Sequence, residues 1–598
     1  MHLDFEKTDF SYFATDICII GAGVAGITMA HRLIMDGRTV TILESGGFDF
    51  DAATADLNVG ETVGQRYYEL DHARLRFFGG TSAIWGGRVA ELDPIDFEKR
   101  DWVPHSGWPI TYDEIKPYYD EARVLFGLPV RRSRLEDLSD AGIRLPAFNS
   151  DELSLKLWSF DRQSNRFAFK SCDNLARHPR CTVLTHATVT SIETDEHGRS
   201  VTSVEVRGLS GRRARVHARA FVLAAGGIEN PRLLLASRSG RGTGLGNDHD
   251  LVGRFFMEHP HARGGKILTD RAWDLLKTFR RHDVKGQSIA ALIASGERMQ
   301  ARERTLNTSL TIAARQPADH AQSLGMRAYN RVKHGLKPTH GARSLWLFTK
   351  RAAALAQKIV DPARPWLLHK LGRTELALVV RAEQAPNPDS RVMLSAERDA
   401  LGMPRVKLDW RMTDLDIHSV DRLVAALGGE LERLKVGRVM PAPWLSDSDR
   451  CWHFDPLVSA HPIGGYHHMG TTRMAADPKH GVVDEHCRLH GTENLYIAGS
   501  SVFPTSGWAN PTFTIAALAL RTADHLSRHM KKSLVLSVAC DHTSVSAARP
   551  RNDGLASSDP LAAHSRAQPW RNWCRHPLET CTRLPFDFQR RHQSRGNP

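Results

Sequence analysis

"TDICIIGAGVAGITMAHRLIMDGRTVTILESGG", residues 15 to 47, decides the fold. "DICII" is a short apolar run of β-branched character that stops at Gly21, and Ala22, Val24, Ala25, Ile27 and Ala30 then carry a helical spacing to a stop at Gly37. "TVTILE" is a second strand. A strand, helix and strand of about thirty residues enclose GxGxxG at Gly21, Gly23 and Gly26, the position where a dinucleotide needs it. Gly21 permits the tight turn, Gly23 lets a pyrophosphate approach the backbone, and Gly26 allows the helix to pack on the strand. The helix N-terminus turns its positive dipole end to the phosphates. Glu44, closing the second strand, is placed to accept a ribose hydroxyl and disfavours a 2′-phosphate. The alternative, a glycine-rich turn binding nothing, leaves the register of strand, helix and acid unexplained.

Working outward, residues 77 to 88 read "FFGGTSAIWGGR", four glycines and a tryptophan within reach of a flat ligand laid along the backbone. "RAFVLAAGGIENPRLLLAS", residues 219 to 237, is another strand, delivering Ala225, Gly226 and Gly227 to a turn before a helix with Pro231 in its first turn. Between these, "CTVLTHATVTSIETDEHGRSVTSVEVRG" alternates like an antiparallel meander. Residues 375 to 412 read as three strands of a second domain, followed by a helix behind a Thr413 cap. The fold class is therefore α/β: a Rossmann-like domain with a second α+β substrate domain built on an antiparallel sheet.

Composition bounds the function. Of 598 residues, 41% are hydrophobic and 25% charged, which is globular and large enough for two domains. The net charge of +13 would suggest nucleic acid, but residues 531 to 598 hold eleven Lys/Arg against five Asp/Glu and so supply +6 of it. No nucleic-acid partner is expected. The basic stretch 326 to 373, interleaved with Trp346, Phe348, Trp366 and Leu367, reads as a solvated helical face beside the active-site entrance in preference to a membrane-surface element. Eight cysteines without a CxxC pair form neither a disulfide framework nor a zinc cluster. With no signal-like start and no run long enough for a membrane span, the chain reads as cytoplasmic. The segment 531 to 598 reads as a flexible basic tail.

Near the C-terminus stands "YHHMGTTRM", residues 466 to 474. Alone, its histidine pair suggests a metal site as readily as a base, although HH lacks the i, i+4 spacing of helical ligands. Taken together with the opening unit, "GGTSAIWGG", "VLAAGGIENPRLLLAS", "VGRFFMEHP" and the stretch from "YHHMGTTRM" to "RTADHL", it resembles the glucose-methanol-choline (GMC) flavoprotein oxidoreductases. The resemblance runs in order through nearly all of residues 15 to 528, and "GTTRM" and "GWANPTFT" look most like the pyranose oxidase and sugar dehydrogenase branch.

That resemblance implies a GMC or p-hydroxybenzoate hydroxylase-like fold with FAD as cofactor. Its expected divisions are FAD-binding parts at 1–98, 161–262 and 455–530, a lid insertion at 99–160, a substrate domain at 263–454 and the tail at 531–598. Besides Gly21, Gly23, Gly26 and Glu44, it implies cofactor contacts from Gly80, Thr81, Trp85 and Gly86, from Val189 through its backbone to adenine, and from Ala225, Gly226, Gly499, Ser500, Pro511 and Thr512. The catalytic histidine of the family stands three residues before the Gly of the Gly-Thr step, which here is His467, and its partner preceding Pro-Thr is Asn510. A neutral imidazole takes the hydroxyl proton while hydride leaves carbon, and the amide orients the same oxygen. His468 falls to a structural role, and no metal is expected. Ile84 occupies the place where some relatives carry a flavin-linked histidine, so FAD is expected to be non-covalent. Ala498-Gly499-Ser500-Ser501 replaces the acidic pattern common in the family, which shifts that flavin contact to backbone amides. The implied substrate is a sugar, glycoside or other polyol, with oxygen, a quinone or a redox protein as electron acceptor. The rivals are a lyase or decarboxylase on the same fold, a sterol or aliphatic alcohol oxidase, and a binding protein retaining a vestigial flavin fold.

Overall fold

The computed structural model describes all residues except 164, 239–241, 318–338, 340, 343–344, 346–362, 460 and 543–598. The opening stretch folds as its spacing dictates: a strand over Tyr12–Ile20, a helix over Val24–Met35 and a strand over Val40–Leu43. The last four residues of the first strand and all four of the second are buried, as expected of parallel strands covered on both faces. A Cβ on Gly26 would stand 2.1 Å from the Gly21 carbonyl oxygen, so only glycine lets this helix start so close to its strand.

These elements belong to an eight-stranded sheet. Its order is His2–Asp4, Cys181–Thr185, Val40–Leu43, Tyr12–Ile20, Arg213–Leu223, Val201–Arg207, Thr188–Thr194, with Leu495–Ile497 also on Arg213–Leu223. The expected meander is corrected at one strand. Cys181–Thr185 pairs parallel with both of its neighbours, and only the three strands from Thr188 onward run antiparallel. Alternation in sequence reports the faces of a strand, not the direction of its partner.

A second eight-stranded sheet is antiparallel throughout. Arg438–Pro441, His261–Leu268, Glu375–Arg381, Ser309–Arg315, Gln287–Ser295, Leu153–Phe160 and Arg88–Val89 follow one another, with Arg281–Val284 on Gln287–Ser295. The helix Asp414–Arg433 packs on it behind a capping box formed by Thr413 and Asp416. The three strands expected between 375 and 412 all form. Only the first joins this sheet, however, whereas Arg391–Arg398 and Pro404–Trp410 make a small separate sheet with Gly60–Gly64. The turn-rich segment between Arg381 and Arg391 is what lets the chain change sheets.

The C-terminal helix Thr512–His542 packs against Val24–Met35. It continues past Met530, where order is expected to end, because no Gly or Pro interrupts residues 531 to 542. The rest of the expected tail, and most of the basic 326–373 stretch, lie outside the described residues. Among the described residues no helix is long and apolar enough to cross a membrane.

Candidate active site

A cavity of about 1200 Å³ is lined by residues of both eight-stranded sheets, the mixed one and the antiparallel one. It exceeds what a drug-sized ligand needs and has room for a dinucleotide and a substrate together. Residues 20 to 25, Glu44 and Val189 line it, together with residues 79 to 86, 224 to 229 and 498 to 500 and with His467, Asn510, Pro511 and Thr512.

The lining fits FAD. At Gly23, Gly86, Gly226 and Gly499 nothing stands within 4 Å of where a Cβ would be, so the backbone is left bare toward the cavity. Glu44 is buried, its Oε2 accepting the Ala22 N–H at 2.9 Å and its Oε1 the Gly46 N–H at 3.0 Å. Burial pushes its carboxyl above the usual range, against the pull of those donors. A carboxylate has about four lone-pair sites, so a ribose hydroxyl can still be accepted. Gly79 donates its N–H to the Ala22 carbonyl at 2.8 Å, tying the second glycine cluster to the first. Trp85 Nε1 is buried at the cavity with no hydrogen-bond partner among the described residues, a donor that a ligand would satisfy. The Thr188–Thr194 strand carries an irregularity between Val189 and Ser191, next to the residue expected at adenine.

Two local devices aim the histidines. Tyr466 has φ of 61°, left-handed for a bulky residue, and so turns the chain sharply before His467. A Cβ on Gly465 would stand 2.6 Å from His467 Cε1, so glycine there makes room for the ring. Glu258 then holds the segment, accepting the N–H groups of His467 at 2.8 Å and Gly465 at 3.1 Å, and the Tyr67 hydroxyl at 2.7 Å. Burial raises the Glu258 carboxyl to about 7.

The imidazole network fixes the tautomers. His259 Nε2 lies 2.8 Å from the Gly507 carbonyl and 3.3 Å from that of Ser506, both acceptors only, so Nε2 carries the proton. Burial lowers the His259 pKa to about 4 and keeps the ring neutral, which leaves its Nδ1 bare. His467 Nδ1 lies 2.8 Å from that Nδ1 and must donate to it. The His467 ring is itself held neutral, first by burial and then by the neighbouring His259, so its Nε2 is an unprotonated acceptor. That atom stands 3.2 Å from Asn510 Nδ2, a donor suited to it. His468 turns away. Its Nε2 donates to Tyr67 Oη at 2.9 Å, because the Tyr67 proton is committed to Glu258.

Of the sequence-derived residues all but Gly26 line this one cavity; Ser500 does so while its hydroxyl donates to the His468 carbonyl at 2.7 Å, and Gly26 stands behind the wall, where it packs the helix on its turn. Two groups escaped sequence reasoning. Glu258 and His259 lie within "VGRFFMEHP", whose order signals the family but not a role. A set of arginines on the antiparallel sheet, Arg88, Arg281, Arg315 and Arg381, also lines the cavity, and nothing in their spacing announces it.

Comparison with known proteins agrees with the geometry. Residues 16–242 match the family model described as FAD dependent oxidoreductase, and residues 386–519 match that described as GMC oxidoreductase. The chain is 24% identical to the fructose dehydrogenase large subunit of Gluconobacter japonicus, over 87% of this chain and 99% of the relative. It is 24% identical to 2-methyl-1,2-propanediol dehydrogenase of Mycolicibacterium austroafricanum, over 86% and 95%. Among solved structures, a fungal aryl-alcohol oxidase shares the fold with a TM-score of 0.50 at 13% identity, over 86% of this chain and 99% of that one.

Proposed function

The chain belongs to the GMC oxidoreductases and is an FAD-dependent enzyme of alcohol or sugar type, and from this premise we propose that it oxidises a CH–OH carbon of a sugar, glycoside or other polyol, with His467 as the proton acceptor. FAD, when bound, supplies the hydride acceptor. The observation that supports the reading is the bare His467 Nε2 beside Asn510 Nδ2 in the cavity wall. A substrate hydroxyl entering there donates to His467 Nε2 and accepts from Asn510, so one oxygen is gripped by two groups and its carbon is oriented. As hydride leaves, positive character at that carbon is relieved by passage of the hydroxyl proton to Nε2. The carbonyls of Gly507 and Ser506 then face an imidazole pair that has gained a proton, and the His259 N–H donated to them becomes a stronger hydrogen bond. Oxygen, a quinone or a redox protein is the proposed electron acceptor.

An anaerobic screen of sugars, glycosides, sterols and aliphatic alcohols against the FAD-loaded protein tests the reading. Loss of the flavin's visible absorbance with a polyol is the expected result. A substrate turned over with no bleaching at any stage would replace oxidation by lyase chemistry.

A further inference from the structure

We propose that the substrate carries an oxyanion, a carboxylate or a phosphate, bound by Arg88 and Arg381 on the antiparallel sheet while its hydroxyl meets His467 and Asn510. The inference rests on the oxidoreductase reading for the second half of that sentence only; the anion site stands on its own observations.

Arg88, Arg281, Arg315 and Arg381 come from four different strands, and all line the cavity. Arg381 is the register partner of His261, which in turn lies close enough to His467 to act on its charge. Arg381 also acts on the charge of His259, so this part of the wall borders the proposed reaction centre. Arg281 and Arg315 each face a carboxylate, Asp283 and Asp455, whereas among the described residues none acts on Arg88 or Arg381. Arg88 Cζ sits 4.9 Å from the Trp158 ring centroid, Arg381 Cζ lies 5.1 Å from the same ring, and Arg281 Cζ is 4.3 Å from that of Phe160. Arg315 spends donors on the carbonyls of Val458 and Ala314, at 2.6 and 2.8 Å. Neither Arg88 nor Arg381 has an acidic partner among the described residues, and Arg381 Nη1 is buried without any hydrogen-bond partner there. Carboxylates in this region are already engaged: Asp455 and Glu375 by Arg263, Asp283 by Arg162.

Burial and the neighbouring guanidiniums lower the pKa of Arg88 to about 10 and that of Arg381 well below its ordinary value. Arg88 nonetheless stays charged at neutral pH. A half-buried cation with no acidic partner is costly, and several facing one cavity repel one another. An oxyanion entering that cavity relieves both costs, and a planar guanidinium is the side chain best matched to it. A neutral sugar has no group that does so. The same wall gives no such reason to prefer a sterol or a simple aliphatic alcohol.

The test uses the FAD-loaded protein and three arms, D-gluconate, D-glucose 6-phosphate and D-glucose, followed by calorimetric binding and by anaerobic flavin reduction. Binding of gluconate or the sugar phosphate, tighter than glucose and weakening with salt, is the expected result, and the preferred arm separates carboxylate from phosphate. Arg381→Met and Arg88→Met should each weaken that binding by about 10- to 150-fold while leaving glucose unaffected. Binding of glucose alone, or anion binding indifferent to both substitutions, would overturn the anion site. So would loss of FAD retention in the two variants with anion binding unchanged, because the arginines would then serve the cofactor's phosphates. Arginine-dependent anion binding with no bleaching of the flavin by any polyol would leave the anion site standing and count against the proposed oxidation.

Discussion

His259 is the residue to remove if His467 is to be tested without touching it. Its Nδ1 accepts the His467 Nδ1 proton at 2.8 Å and so leaves His467 Nε2 bare. In His259→Ala that proton faces a void, and a buried donor without a partner costs ~1–3 kcal/mol. The ring can escape the cost by moving its proton to Nε2 or by rotating, and both remove the base from the substrate. At ~1.4 kcal/mol per decade, flavin reduction under anaerobic stopped flow should slow by roughly 5- to 150-fold. A second readout separates positioning from damage. The neighbouring His259 ring helps to hold the His467 pKa down, after burial itself, so the acid limb of the wild-type rate profile should fall below pH 6.5. It should move upward in His259→Ala. His259→Asn offers Oδ1 as an acceptor near the lost Nδ1 and should recover part of the rate. Wild-type reduction rates in His259→Ala, with the acid limb unmoved, would refute the tautomer chain.

His467→Ala should lower flavin reduction by about 10² to 10⁴, with FAD still bound by its absorbance spectrum. Asn510→Ala should cost less, because it misorients the hydroxyl and leaves the base in place; a larger loss than in His467→Ala would reverse the assignment. Acid precipitation should release FAD into the supernatant, since Ile84 offers no nucleophile for a covalent link, and flavin retained in the pellet would contradict this. Glu258 has its carboxyl raised to about 7 by burial, so the protonated form favours the fold: its stabilisation is complete below about pH 4.5 and is lost as pH rises through 7. Glu258→Gln should therefore flatten the decline of stability across that window, by up to ~3 kcal/mol, as read from Tm against pH. An unchanged pH dependence would remove Glu258 as its source.

The parts of the fold legible in the sequence are those whose determinants are local. Gly26 announces its turn because a Cβ there would strike the Gly21 carbonyl oxygen at 2.1 Å, a constraint within one strand-helix unit, whereas the backbone that a Cβ on Gly21 would strike, at 2.7 Å, belongs to the distant Ala224. The cap at Thr413 lies three residues from its partner Asp416 and is equally readable. Strand direction is not local. Cys181–Thr185 alternates like its successors yet pairs parallel with Val40–Leu43, and Pro404–Trp410 leaves the expected sheet to pair with Gly60–Gly64, more than three hundred residues earlier. Such choices are made by whole faces packing, after the local pattern has already been satisfied.

The site divides along the same line, with a consequence for how function can be read. His467 and Asn510 are visible because each sits in a short ordered motif, but what leaves His467 Nε2 unprotonated, as the proposed base requires, is a hydrogen bond to a residue 208 positions away, whose own proton is fixed by the carbonyls of a third segment. A sequence can therefore point to a candidate base while leaving its protonation unread. The cationic wall is more extreme, since four arginines on four strands share no motif and meet only when the antiparallel sheet closes over the cavity. The reaction type is written in motifs on the nucleotide-binding side. The proposed substrate charge is written in single residues on the other side, whose meaning depends on finding no carboxylate opposite them among the described residues. If the anion site holds, the glycine turns, "GTTRM" and "GWANPTFT" carry no information on substrate charge, and motif resemblance alone is expected to predict the chemistry of this chain better than its substrate.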